Sequence, residues 1–218
     1  MDSLKILKTQ DGSATLFSKI FGESYHNING AVAEAVHIYA NAAYKTKATS
    51  INILEFGYGT GLNAMITYKL LKNENKYVNY TGVDIQPLSS KLLIEIGYKK
   101  LLGLSTKEYS SFTESWNETL TITDNFLLTK IRCDILNFDT SNRFDLVFYD
   151  AFSHDIQPEL WTKDLFDKVF SMLNDGARLF TYSSKGLVKR NLRDAGFFVK
   201  RLAGPPGKRH IIEAQKVL

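Results

Sequence analysis

The chain has 218 residues, the length of one ordinary α/β domain with room for a small appendage, and such a chain buries a full core without disulfides or metals. Hydrophobic residues make up 44% and charged residues 23%, a globular balance, and no apolar run approaches the ~20 residues of a membrane span. The net charge of +4 is compatible with a nucleic acid partner without pointing to one. The polar start, Met1 to Lys8, lacks an apolar signal region, so a cytoplasmic protein is expected. The single cysteine, Cys133, excludes an internal disulfide and a cysteine-built zinc site.

In chain order, Leu4 to Ser18 holds two short apolar stretches around Asp11-Gly12, which predicts a hairpin. Val32, Ala35, Val36, Tyr39 and Ala43 fall at helical spacing over Ala31 to Tyr44. These two features give an N-terminal unit, residues 1–45, packed on a main domain of residues 46–218. The pattern then alternates. Strands are predicted at Ile51 to Phe56, Tyr77 to Val83, Leu128 to Asp134, Phe144 to Asp150 and Ala177 to Tyr182. Helices are predicted at Leu62 to Leu71, Thr162 to Leu173 and Gly186 to Ala195, and Pro87 to Leu120 reads as mainly helical with a break at Gly103. Phe197 to Leu202 and Arg209 to Ala214 close the chain as two strands joined across Gly204-Pro205-Pro206-Gly207. Alternating strands and helices imply a Rossmann-like α/β fold, a mostly parallel sheet ending in an antiparallel hairpin. Ligands of such sheets bind at the carboxyl ends of the strands.

The sharpest local feature is Glu55-Phe56-Gly57-Tyr58-Gly59-Thr60-Gly61-Leu62-Asn63, placed between a predicted strand and a predicted helix. Gly57, Gly59 and Gly61 allow a tight turn and close approach of a ligand, with Tyr58 and Asn63 beside them. No Gly-Lys-Ser/Thr follows, and the third glycine comes one residue too early for a dinucleotide loop. An acidic residue at position 55 repels a pyrophosphate but suits the amino group of a methionine moiety, which favours S-adenosylmethionine over NAD. Asp84 ends the second strand, where its two oxygens suit two ribose hydroxyls. Asp134 ends the third and suits an adenine amino group, although a turn role fits it equally. Asp150 ends a strongly apolar strand; an unpartnered buried carboxylate is costly, so it should face the cleft and hold an amine. Phe152 can stack on a base or shape that amine pocket; His154 could accept a proton but reads rather as a surface loop residue. No metal-ligand cluster is visible.

At this point the chain resembles the methyltransferase domain of the MnmC family, the enzymes of tRNA 5-methylaminomethyl-2-thiouridine biosynthesis. The resemblance rests on Leu54 to Asn63, on Tyr149-Asp150-Ala151-Phe152 followed by Pro158-Glu159-Leu160-Trp161-Thr162, and on Phe180 to Ser183, Val188-Lys189-Arg190, Leu192 to Gly196 and Gly207-Lys208-Arg209. Ser24-Tyr25-His26, Gly30-Ala31 and Glu34-Ala35 are similar to the amino-terminal stretch of its stand-alone members. Ala151 replaces the family's glycine, and Asp84 stands where the fused enzymes tend to have glutamate. The resemblance implies methyl transfer to 5-aminomethyl(-2-thio)uridine at the tRNA wobble position, without the FAD-dependent oxidase half. A separate enzyme would then supply the aminomethyl intermediate. Lys185, Lys189, Arg190, Arg193, Lys208 and Arg209 are the candidate phosphate contacts; Lys185, Lys189 and Arg193 share a helix face by their spacing of four. A methyltransferase acting on a small amine or on protein, or a non-catalytic nucleotide-binding module, would share much of this pattern.

Overall fold

The computed structural model describes residues 3–217. Strands β1 (Leu4–Lys8), β2 (Ala14–Ser18) and β3 (Glu23–Ser24) form a three-stranded antiparallel sheet. The predicted hairpin turn is tied by Asp11, whose Oδ1 accepts from the Thr9 hydroxyl at 2.7 Å and from the Ser13 backbone N–H at 3.0 Å. Helix α1 (Ala31–Ala35) runs through a π-helical turn (Val36–Ala40) into α2 (Asn41–Lys45). Sequence spacing anticipates the helical run but not the widened turn. That turn carries Tyr39, and π turns are often kept where a side chain must be re-aimed.

The second sheet has eight strands in the order β10-β11-β9-β8-β4-β5-β7-β6. They are β4 (Ser50–Phe56), β5 (Tyr77–Asp84), β6 (Glu118–Thr123), β7 (Phe126–Arg132), β8 (Phe144–Tyr149), β9 (Leu173–Thr181), β10 (Phe197–Ala203) and β11 (His210–Lys216). Pairings β4–β5, β4–β8, β5–β7 and β8–β9 are parallel; β6–β7, β9–β11 and β10–β11 are antiparallel. The connecting helices are α3 (Leu62–Leu71), α4 (Ser90–Ile96), α5 (Tyr98–Leu102), α6 (Thr106–Thr113), α7 (Lys163–Ser171) and α8 (Gly186–Asp194). The chain runs outward from β4 on one side and returns to β8 on the other. The strand order therefore reverses between β4 and β8, where sheets of this kind open a crevice.

One predicted stretch is corrected. The helical reading of Pro87 to Leu120 fails at its end, where Glu118–Thr123 is an antiparallel edge strand against β7. A capping box of Ser105 and Glu108 starts α6, and left-handed backbone at Ser115 (φ 51°) and Asn117 (φ 64°) turns the chain back. The alternating threonines that follow then suit a ladder rather than a helix.

Both faces of the sheet are buried, and successive residues feed opposite cores. Ile53, Tyr80 and Phe148 join Leu16, Ala35 and Ile38 of the N-terminal unit on one face; Leu54, Phe56, Tyr149, Trp161 and Phe166 fill the other. Trp161 has no exposed surface, and its Nε1 donates to the carbonyl of Phe152 at 2.8 Å. Trp161→Ala should destabilise the fold by about 3–5 kcal/mol, read as a lowered midpoint in denaturant melts followed by circular dichroism. A change within ~0.5 kcal/mol would show that this face tolerates a cavity.

Candidate active site

The loop after β4 is built as its glycines suggest. Gly57, Gly59 and Gly61 all take positive φ, at 82°, 51° and 74°. A Cβ on Gly57 would run into the backbone carbonyl of Asp150, so the loop lies directly against the end of β8. The Gly59 N–H donates to Asp84 Oδ2 at 2.8 Å, which ties the loop to the end of β5. Gly61 caps α3 in the left-handed region and sits against the Tyr58 ring. Tyr58 itself turns into the core and donates to the Phe112 carbonyl at 2.8 Å. A cavity of about 470 Å³ opens over this loop, within the range of small-molecule sites. Of the candidate site residues, Gly57, Tyr58, Gly59, Asn63, Asp84, Asp134, Asp150 and Phe152 line it; Gly61 and Glu55 do not.

Glu55 is therefore corrected. It has no exposed surface and does not line the cavity. Its Oε1 accepts from Asn63 Nδ2 and its Oε2 from the Tyr80 hydroxyl, both at 2.8 Å. Burial pushes its carboxyl well above the usual range. The same Asn63 amide donates to Asp150 Oδ2 at 2.9 Å, and the Tyr39 hydroxyl donates to Asp150 Oδ1 at 2.8 Å. Asp150 is thus clamped from both sides, and Glu55 holds the Asn63 amide that forms one side of the clamp. Burial, then the nearby Glu34 carboxylate, push the Asp150 carboxyl up to about 7. It is a group that changes charge near neutral pH, with its orientation fixed.

The other carboxylates keep free capacity. Asp84 accepts the Gln86 N–H at Oδ1 in addition to that of Gly59, and burial raises its pKa. Asp134 Oδ1 accepts the Leu136 N–H at 2.9 Å, the turn role anticipated for it.

The remaining wall comes largely from residues that sequence reasoning missed. Phe152 packs on Phe21 at 4.5 Å and edge-on to Tyr25 at 5.1 Å between ring centres. His26, Glu34 and Tyr182 also line the cavity. Lys208, expected as a phosphate contact, lies instead in this wall. Its Nζ pairs with Glu34 at 2.8 Å and sits 4.0 Å above the Tyr182 ring. Lys185 pairs with Asp155, in the loop that carries Phe152. Lys189, Arg190, Arg193 and Arg209 do not line the cavity; Arg190, Arg193 and Arg209 are exposed. His154 lies near Asp155, outside the cavity lining. Among the described residues, no helix is long and apolar enough to cross a membrane, and no group of three or more metal-ligating side chains is assembled.

A glycine loop at the switch point of a doubly wound sheet, opening on carboxylates at neighbouring strand ends, defines an α/β protein that binds a nucleoside cofactor. The comparisons make this specific. A family model described as S-adenosyl-L-methionine-dependent methyltransferase matches residues 99–217, and the chain belongs to that family. Its cofactor is S-adenosylmethionine. The bifunctional protein MnmC of tRNA 5-methylaminomethyl-2-thiouridine biosynthesis from Campylobacter fetus is 30% identical over 207 residues, covering 91% of this chain and 34% of that protein. The chain thus spans about a third of the length of this bifunctional relative. An uncharacterised protein of Methanocaldococcus jannaschii is 26% identical, covering 97% of this chain and 59% of its own length. The crystal structure of MNMC2 from Aquifex aeolicus superposes with a TM-score of 0.76 at 26% identity, covering 98% of this chain and 70% of that one. Spermidine synthase from Thermotoga maritima, at 14% identity and a TM-score of 0.60 over 98% of this chain and 69% of that one, shares the fold.

The residues present fit S-adenosylmethionine. The Asn63 Oδ1 atom is buried without a partner among the described residues, and Asn63 lines the cavity. Buried polar atoms left open in this way fit a ligand that completes them. Asp84, Asp134 and Asp150 make the cavity acidic, which suits a cofactor with a cationic sulfonium and ammonium.

Proposed function

We propose that this chain methylates the amine of 5-aminomethyl(-2-thio)uridine at the wobble position of tRNA. The observation that carries the reading is Asp150, clamped by Tyr39 and Asn63 at the lip of the glycine loop and facing the cavity. The relatives named for 5-methylaminomethyl-2-thiouridine biosynthesis supply the substrate class. When bound, S-adenosylmethionine supplies a methyl group on a sulfonium sulfur, which leaves as a neutral thioether once the amine takes the methyl. The chain's own residues hold the partners in line. Asn63 Oδ1 and the loop receive the methionine end, Asp84 the ribose and Asp134 the adenine. Asp150 accepts a hydrogen bond from the amine and takes, directly or through a water, the proton the amine must lose. Phe152, with Phe21 and Tyr25, shields the reacting atoms from water. Positioning of this kind supplies several kcal/mol.

A polyanion must be held beside an acidic cavity, and the basic face of α8, where Arg190 and Arg193 are exposed and Lys189 is half-buried, suits that task. Those contacts set affinity rather than base choice. Lys189→Glu combined with Arg193→Glu should raise the Michaelis constant for tRNA and lower the salt slope of binding by about two. The rate on the free aminomethyluridine nucleoside should stay close to wild type. Equal loss on tRNA and nucleoside would mean that this helix face supports the fold instead.

A further inference from the structure

We propose that His26 selects the target base, its Nε2–H donating to a ring carbonyl next to the carbon that bears the aminomethyl arm, while Asp150 receives the amine. The inference rests on the reading of the target as an aminomethylated uracil ring. The hydrogen bonds of Thr15 assign the proton to one ring nitrogen. The Thr15 hydroxyl is fully buried, and its oxygen already accepts the His26 backbone N–H at 2.9 Å. The hydroxyl proton needs an acceptor, and the His26 Nδ1 at 3.2 Å is the one available among the described residues. A neutral imidazole that accepts at Nδ1 carries its proton on Nε2.

That Nε2–H has no partner among the described residues, while His26 lines the cavity. The surroundings keep the ring neutral. Burial pushes its pKa down to about 4, with the Glu34 carboxylate and the Lys208 ammonium acting in opposite directions. Glu34 and Lys208 are paired with each other, so the wall beside His26 offers a hydrogen-bond donor without a net charge. A protonated Nε2 cannot take the amine's proton, which leaves that task to Asp150 or a water. A fixed donor reads uracil, whose ring atom beside the arm-bearing carbon is a carbonyl, and rejects cytosine, which presents an amino group there. Rejection of this kind is effective because a mismatched donor is left buried and unpaired.

Two readouts test the assignment. In ¹⁵N spectra of imidazole-labelled protein, His26 should show the neutral Nε2–H tautomer from pH 5.5 to 8, by an expected margin of about a pH unit or more above its titration; an Nδ1–H tautomer overturns the proposal. On tRNA lacking the modification, His26→Leu should lower kcat/KM by about 10- to 100-fold, mostly through KM, with S-adenosylhomocysteine affinity within a few-fold. His26→Gln, whose amide places an N–H near the Nε2 position, should recover most of that loss. Loss as deep in His26→Gln as in His26→Leu would make His26 a proton acceptor or a packing residue, and wild-type rates in both would remove it from the site. If the wild-type protein methylates no tRNA at all, the substrate reading fails before any variant is compared, and the base assignment fails with it.

Discussion

Replacing Asp150 with alanine lowers turnover by about two to four orders of magnitude and leaves S-adenosylhomocysteine affinity within a few-fold. The carboxylate is assigned to the amine, so the loss falls on the chemical step and not on cofactor binding. The pH profile carries the same signature. A carboxyl with a pKa of about 7 is mostly neutral below that pH, so wild-type kcat/KM should climb as pH rises through about 7. Tyr39→Phe removes a hydrogen bond to the charged form and should move that climb to higher pH. Stability follows with the opposite sign. Because the folded-state pKa lies above the ordinary carboxylate value, the group favours the folded state at acid pH, and that contribution is lost as pH rises through about 7. Asp150→Ala should flatten this part of the pH dependence of the melting temperature. A variant that loses cofactor affinity but keeps its turnover at saturating cofactor would contradict the assignment.

Gly59→Val weakens cofactor binding by about 100-fold, the loss expected from a few kcal/mol of misplaced backbone. Gly59 holds φ at 51°, a region that a β-branched residue avoids. A Cβ there would stand 3.1 Å from the Tyr25 ring and press on the wall shared with Phe152. To relax, the backbone must swing, and the N–H bond to Asp84 goes with it. Titration calorimetry with S-adenosylhomocysteine measures the loss, and a near-native melt separates it from unfolding. Unchanged affinity would remove the loop from the cofactor site.

The glycine-loop side of the cavity was legible because it is local. Strand, glycine loop and helix are contiguous from Ile51 to Leu71, and Asp84, Asp134 and Asp150 each follow an apolar run that marks a strand end. The opposite wall was not legible. His26, Glu34 and Tyr39 come from the first 45 residues and are brought to the cavity or to Asp150 only by tertiary packing and a π turn that no spacing announces. Their one signal was the Ser24-Tyr25-His26 and Glu34-Ala35 resemblance, which gave no roles. Glu55 was misplaced because sequence reports charge but not burial; its partner Tyr80 lies on a neighbouring strand. Lys208 looked like a surface cation for a similar reason. Glu34, far away in sequence, holds it in the wall.

The most direct measurement is nucleoside mass spectrometry after the purified protein is incubated with methyl-labelled S-adenosylmethionine and tRNA from cells that lack the modification. The account predicts one labelled methyl group on the exocyclic nitrogen of 5-aminomethyluridine or its 2-thio form, formed at least about 100-fold more slowly with Asp150→Ala. Label found on a ring atom, on ribose or on protein, with the aminomethyl nucleoside unchanged, would contradict it.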